Sequence, residues 1–428
     1  MALLTALSSG TTGLESASAQ LSVVGDNIAN ANTVGFKAGR ADFEDALSQS
    51  FIGSNGQIGL GSQIESVQKI LTQGALNATG VATDLALQGN GFFIVSGDYN
   101  GQNASYYTRA GQFTVDQNGY MVNQQGLRVE GFSADPSGAL SGSLGDLLVG
   151  TASAQPHSTG TVTIKANLQA DATVPAAWDP LNPSTTSNFS TSVTVYDSLG
   201  SAHATQVFFR KTGTGTWEWH AMTDGGGLTG GTAGQLTEIA GGTLSFDTQG
   251  RLATVTQASN FNPLGATNPQ PLTFNFGDPT GTTGGTGLAG VTQFAAASAT
   301  TFIGQDGFGS GQLSDIQIDP LGKISGVFTN GQTRVLGQVA VAGFSAPDQL
   351  TRAGGNLMQQ SQASGQPVIG APGAGGLATV ISGSLEQSNV DIANEFVTMI
   401  AAQRAFEANS KTITTADQLL SELIQMKR

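Results

Sequence analysis

The chain has 428 residues, 60 of them glycine, with no cysteine and only 11% charged residues. Average soluble chains carry about 7% glycine and about 25% charge, so glycine is doubled and charge more than halved. Lys+Arg 16 against Asp+Glu 30 leaves a net charge of −14, which argues against nucleic-acid and anionic-membrane partners, and the missing cysteine excludes disulfides, thiolate nucleophiles and cysteine-ligated metals.

No apolar run reaches the ~18 residues of a membrane-spanning helix, so no membrane insertion is expected. The opening MALLTALSSGTTGLESASAQ lacks a basic region and a continuous apolar stretch, and does not read as a Sec-type signal peptide. From Leu7 to Ala31 there is no proline, and Leu7, Leu14, Leu21 and Ile28 stand seven apart. Ala17, Val24 and Ala31 follow the last three of these by three residues, which predicts a helix with a heptad seam. Its only charges before Lys37 are Glu15 and Asp26. A helix with so little charge on any face expects neighbours all round.

Residues 37–81 read as a connector with some extended structure. It mixes isolated charges (Arg40, Asp42, Glu44, Asp45) with the glycine-rich IGSNGQIGLGSQ, which spans Gly56 and Gly61 and is expected to let the outer domains tilt relative to the helices. Residues 85–133 alternate apolar and polar positions between Asn-Gly and Asp-Gly steps, which predicts hairpins, and 313–344 has the same texture. Between them, about 151–301 is richer in Thr, Gly and Pro and reads as an all-β insert, with long loops expected at 222–235 and 278–293.

The C-terminal stretch returns to helical periodicity. A helix from about Val390 to Met426, roughly 55 Å long at 1.5 Å per residue, carries Ile392, Met399, Phe406, Ile413 and Leu420 every seven residues. Ala402, Ala416 and Leu423 hold second seam positions that Glu395 and Asn409 interrupt, and Ser388 with Asp391 resembles a capping box. Neither terminal helix can bury a narrow stripe alone, so the economical arrangement pairs them. The expected fold is α+β and multidomain, with terminal helices paired as a coiled coil around nested all-β domains. The expected division is 1–36 with 384–428 as the helical part, 37–81 as connector, 82–150 with 302–383 as a β-rich domain, and 151–301 as the outer β insert.

No constellation in the sequence carries chemistry. His157, His203 and His220 lie in no close ligand spacing, and neither GFGSG at 307–311 nor the glycines of 89–91 opens a helix in a phosphate-binding unit. Asp-x-x-Gly steps at Asp116, Asp197, Asp247 and Asp319 lack the alternating acids of a calcium loop and read as turns. No enzyme activity, cofactor or metal is therefore expected.

Asp26 through Lys37, DNIANANTVGFK, closely resembles the N-terminal signature of bacterial flagellar axial proteins, with Asn27, Ile28, Ala29, Asn30, Thr33, Gly35 and Phe36 as its motif positions. The runs SNVD at 388–391, MIAAQRAF at 399–406 and KTITTAD at 411–417 look like that family's C-terminal helix. ALQGNGFFIV at 86–95 and the stretch 107–126 are shared with rod members, whereas VTVYDSLGSAH at 193–203 is similar to hook members. The resemblance implies a self-assembling subunit of the hook, a tube passing torque from rod to filament, with itself, the distal rod protein, the hook cap and the hook–filament junction proteins as partners. It also implies export through the flagellar type III apparatus to a place in the flagellum outside the cell. A distal-rod or hook-associated role is the alternative. A polysaccharide-active enzyme or a β-rich adhesin would leave the paired termini unexplained.

Overall fold

The computed structural model describes residues 2–46, 49–50 and 57–426. Gly56, within the glycine-rich run, lies outside the described residues. Helix α1 runs Ala2–Ala29, beginning five residues before the expected Leu7, and helix α2 runs Ile392–Met426. At 1.5 Å per residue they are about 42 Å and about 52 Å long. Asp391 opens α2 by itself: its Oδ1 accepts the N–H groups of Ala393 at 2.9 Å and Asn394 at 3.3 Å. The expected Ser388–Asp391 box does not form, and Ser388 Oγ accepts only the Val390 N–H at 3.3 Å. An Asp at the cap already satisfies the first free N–H groups, so a second capping partner adds little.

All strands named here lie between the two helices in sequence. The chain divides into two compact units, the first made of residues 1–152, 314–327 and 333–428, the second of 153–313 and 328–332. In the first unit a sheet runs through Thr333–Val339, Arg128–Ala134, Phe92–Tyr99, Gln102–Thr108, Leu357–Gln359 and Thr351–Gly354, each antiparallel to its neighbour. Strands from early and late sequence therefore interleave. Their shared core includes Phe92, Ile94, Tyr107, Ala342, Leu350 and Met358. Leu85–Gln88 pairs with Thr379–Ser382, and Leu76–Ala78 with Ser384–Glu386, which delivers the late chain to the start of α2 beside the end of α1.

The second unit is a five-stranded antiparallel meander, Phe189–Tyr196, Ala202–Gly213, Thr216–Asp224, Leu236–Phe246 and Leu252–Ser259. It shares one core with the three-stranded sheet Thr273–Asn275, Thr161–Asn167, Ala299–Gln305, with Trp217, Trp219, Phe274 and Phe276 at its centre. Residues 302–313, assigned from sequence to the other β domain, group with this unit because Ala299–Gln305 pairs along Thr161–Asn167. The loop expected from 222 begins only after Asp224, since the strand Thr216–Asp224 stays paired to its end.

The Asp-x-x-Gly steps are turns of one design. Asp116 Oδ1 accepts the N–H groups of Asn118 at 2.9 Å and Tyr120 at 2.8 Å, with Gly119 at φ +85°. Asp197, Asp247 and Asp319 repeat the pattern, and so does Asp135. Each carboxylate is occupied by its own backbone, which is the reason Asp opens such turns.

Candidate assembly site at the chain termini

Helices α1 and α2 pack along one another. A Cβ placed on Gly10 would lie 2.9 Å from Ile413 Cγ1, and one on Gly13 would lie 2.6 Å from Asn409 Nδ2. Farther along, Asn27 Nδ2 donates to Glu395 Oε1 at 3.0 Å. Numbers rise on one helix as they fall on the other, so the pairing is antiparallel. The two polar interruptions of the C-terminal heptad thus have partners: Asn409 fits against a glycine and Glu395 bonds to an asparagine. Small residues bring the backbones close enough for both.

The predicted seam residues divide by depth. Ala17 and Val24 on α1, and Ala402 and Ala416 on α2, are buried. Leu7, Leu14, Leu21 and Ile28, with Met399, Ile413 and Leu420, are half-buried. Phe406 is 41% exposed and borders a groove lined also by Leu14 and Ser18, whereas Ile392 is 45% exposed. Phe396, Val397 and Ile400 join Ile392 on an open apolar face of α2. Spacings of four between 392, 396 and 400 stack these side chains on one side of the helix.

On its other side α1 meets the segment read from sequence as a connector. Within it, Gly39–Asp45 pairs antiparallel with Ser62–Lys69. Ser16 Oγ and Ser62 Oγ lie 3.0 Å apart, and Thr12 Oγ1 donates to Leu60 O at 3.4 Å. Gly61 has φ +105°, and a Cβ there would collide with Thr12 Oγ1. It is a close-packing point within the glycine-rich run.

The signature residues close the end of α1. Asn30 Nδ2 donates to Asp26 O at 2.9 Å, and Thr33 Oγ1 donates to Asn30 Oδ1 at 3.0 Å, which uses up polar groups where the helix stops after Ala29. Asn27, buried, grips Gly39 through both backbone groups at 2.8 Å. Gly35 takes φ +70° and donates its N–H to Glu386 O at 2.7 Å; a Cβ there would lie 2.6 Å from Arg109 C. Phe36 is buried beneath the Arg352 guanidinium, 5.3 Å away, and Arg352 Nη1 reaches Asp26 Oδ2 at 2.7 Å.

Beneath the signature lies a charge cluster absent from the sequence expectation. Lys37 Nζ donates to Glu386 Oε1 at 2.6 Å and Thr72 O at 2.8 Å. Arg109 Nη1 donates to Glu386 Oε2 at 3.2 Å, and its Nη2 to Gly89 O at 2.6 Å. All three side chains are buried. Burial lowers the Lys37 ammonium and the Arg109 guanidinium from their ordinary values, against the opposing pull of Glu386. The one sequence cue is scarcity: in a chain with 16 Lys+Arg, a lysine closing the signature is conspicuous. Its partners stand too far away in sequence for any local pattern to name them.

The histidines hold structural positions. His203 Nε2 sits 3.3 Å from Asp197 Oδ2, and His220 Nδ1 lies 3.0 Å from Glu238 Oε1 while its ring stacks on Trp178 at 4.0 Å. Among the described residues, no group of three or more His, Asp or Glu side chains is placed to hold a metal ion.

Family models match along the length of the chain. They are described as flagella basal body rod protein over residues 7–37, flagellar hook protein FlgE/F/G D1 domain over 86–177, flagellar basal body protein FlaE D2 domain over 167–308, and flagellar basal body rod FlgEFG protein C-terminal over 381–426. The chain is similar to the flagellar hook protein FlgE of Borreliella burgdorferi, with 36% identity over 99% of this chain and 100% of that one. It is likewise similar to the flagellar hook protein FlgE of Escherichia coli, with 33% identity over 99% of this chain and 100% of that one. A crystal structure of the Helicobacter pylori flagellar hook protein FlgE2 covers 73% of this chain and 100% of its own at 15% identity and a TM-score of 0.49. With a third of its residues identical to hook proteins from end to end, the chain belongs to the flagellar hook protein family, a family of structural subunits rather than enzymes.

Proposed function

We propose that this subunit polymerises through its terminal helices into the hook tube that passes motor torque from rod to filament. The observation that carries this reading is the α1–α2 pair itself. It buries one seam within the subunit yet leaves Ile392, Phe396, Val397 and Ile400 of α2 open to solvent, at 45%, 48%, 68% and 50%. An apolar face of that kind on a helix already paired once calls for neighbours of its own sort. The predicted seam residues, from Leu7 to Ile28 and from Ile392 to Leu420, then serve both the pairing and the polymer. The outer β domains, with few charges, make weak repeated contacts that can shift as the tube bends, which suits a flexible joint better than a few deep anchors.

The same reading assigns the remaining partners. The distal rod protein lies below, the hook–filament junction proteins lie above, and the hook cap covers the growing tip. The subunit reaches that tip unfolded through the flagellar type III apparatus. The four-part division, with a helical part, a connector, a β-rich domain and an outer β insert, belongs to this proposal as its working description.

Truncation before Asp417 removes the far end of α2, including Leu420. The truncated protein is expected to form no tubes by electron microscopy while the near-ultraviolet circular dichroism of the tryptophan-rich second unit persists. Leu21→Asp and Ile413→Asp, each placing an unpaired charge in the seam, are expected to do the same. Tubes from the truncated chain would defeat the proposal.

A further inference from the structure

The first unit holds a groove of about 710 Å³ whose apolar walls include Phe92, Phe344 and Leu377. Val368 and Ile369 form part of its rim, 66% and 38% exposed. They belong to the short strand Val368–Gly370, which pairs on one side with Val341–Gly343 and has no other strand partner among the described residues.

Lys37 and Arg109 also line this groove, although each is nearly buried, 2% and 4% exposed. Between them they face one carboxylate, Glu386, and among the described residues neither is paired with another acid. The Nε of Arg109 is buried with no hydrogen-bond partner. The cluster therefore holds one positive charge too many in a place where charge is poorly solvated, and a buried donor left over.

We propose that the groove is a socket for a second copy of this chain, which inserts an aspartate or glutamate beside an apolar residue. The carboxylate offsets the surplus charge of Lys37 and Arg109, and the apolar side chain fills the space between Phe92, Phe344 and Leu377. A second copy is the occupant that fits. The chain is acidic, with Asp+Glu 30 against Lys+Arg 16, so each copy carries an excess of carboxylates to present. The inference rests on the proposed polymerisation and assigns one of its contacts.

Val368→Asp and Val368→Lys test it, because the side chain is exposed and lies outside the core. Each purified full-length variant is brought to assembly, and the polymer is measured by sedimentation. Repulsion of the incoming carboxylate should raise the concentration needed for Val368→Asp to assemble by about tenfold, and that for Val368→Lys by about threefold or less. Equal effects from both charges, or none from either, would overturn the socket. Decanoate, an apolar chain ending in a carboxylate, supplies the second arm. It should inhibit assembly of the wild type; binding to the monomer without inhibiting assembly would identify a small amphiphile as the occupant and reject a second copy. The truncation before Asp417 is run alongside. If it fails to assemble while both Val368 variants behave as wild type, the socket alone is lost; if it assembles, the helix-based reading is lost as well.

Discussion

Lys37, Arg109 and Glu386 place two cations and one carboxylate where water is excluded, and their hydrogen bonds tie the end of α1 to the approach of α2. Such a cluster holds geometry more than it adds stability, since desolvation offsets much of the attraction. Deleting one partner of a buried pair nevertheless costs about 3–5 kcal/mol. Lys69 gives a cleaner test at this scale. It donates to Leu350 O, and burial, with Arg352 nearby, lowers its pKa from 10.5 to about 8. Between those values the unfolded chain binds more protons than the folded one, so stability rises with pH across that window. Urea unfolding of the wild type should show that rise between pH 8 and 10 relative to Lys69→Met. Parallel profiles for the two proteins would count against the shift.

The helices show what a heptad can and cannot specify. A seven-residue repeat predicts a buried stripe but permits several registers, and the register here is selected by polar and small residues. Asn27 meets Glu395, and Gly10 admits Ile413. Gly10→Leu measures the close approach. Replacing a helical glycine returns about 1 kcal/mol of propensity, whereas overpacking a closed seam costs about 1–3 kcal/mol, so loss should exceed gain. The variant should lose far-ultraviolet helical signal at a lower temperature than wild type. An unchanged or raised transition would show that the helices do not pack this closely. The strand pair Gly39–Asp45/Ser62–Lys69 teaches the complementary point. The glycine-rich run reads as slack in the sequence, yet Gly61, just before the second strand, packs against Thr12 of α1 with no room for a side chain.

At the scale of the whole molecule, burial is uneven. The second unit encloses Trp217, Trp219, Phe274 and Phe276, all 3% exposed or less, whereas α2 keeps four large apolar side chains open along its first turns. Stability should follow this difference. Heating the monomer is expected to give two transitions: loss of helical signal at 222 nm first, then loss of near-ultraviolet signal from the tryptophans. In assembled tubes the helical transition should move upward, because binding that favours the folded form raises its apparent stability. A single transition in the monomer that abolishes both signals together would contradict the argument.

The sequence by itself determined the elements whose cause is local. Heptad spacing marked both helices to within a few residues, period-two alternation marked the hairpins, and Asp-x-x-Gly marked the turns, because each pattern is written within one or two turns of chain. The signature at 26–37 and its counterpart after Ser388 likewise sufficed to indicate the family. Only the tertiary structure decided the antiparallel register, the packing of the strands Gly39–Asp45 and Ser62–Lys69 along α1, the grouping of residues 302–313 with the second unit, and the Lys37–Glu386–Arg109 cluster. Each depends on residues far apart in sequence whose meeting is settled by which surfaces fit together. No periodicity within one segment can record which distant partner will complete it.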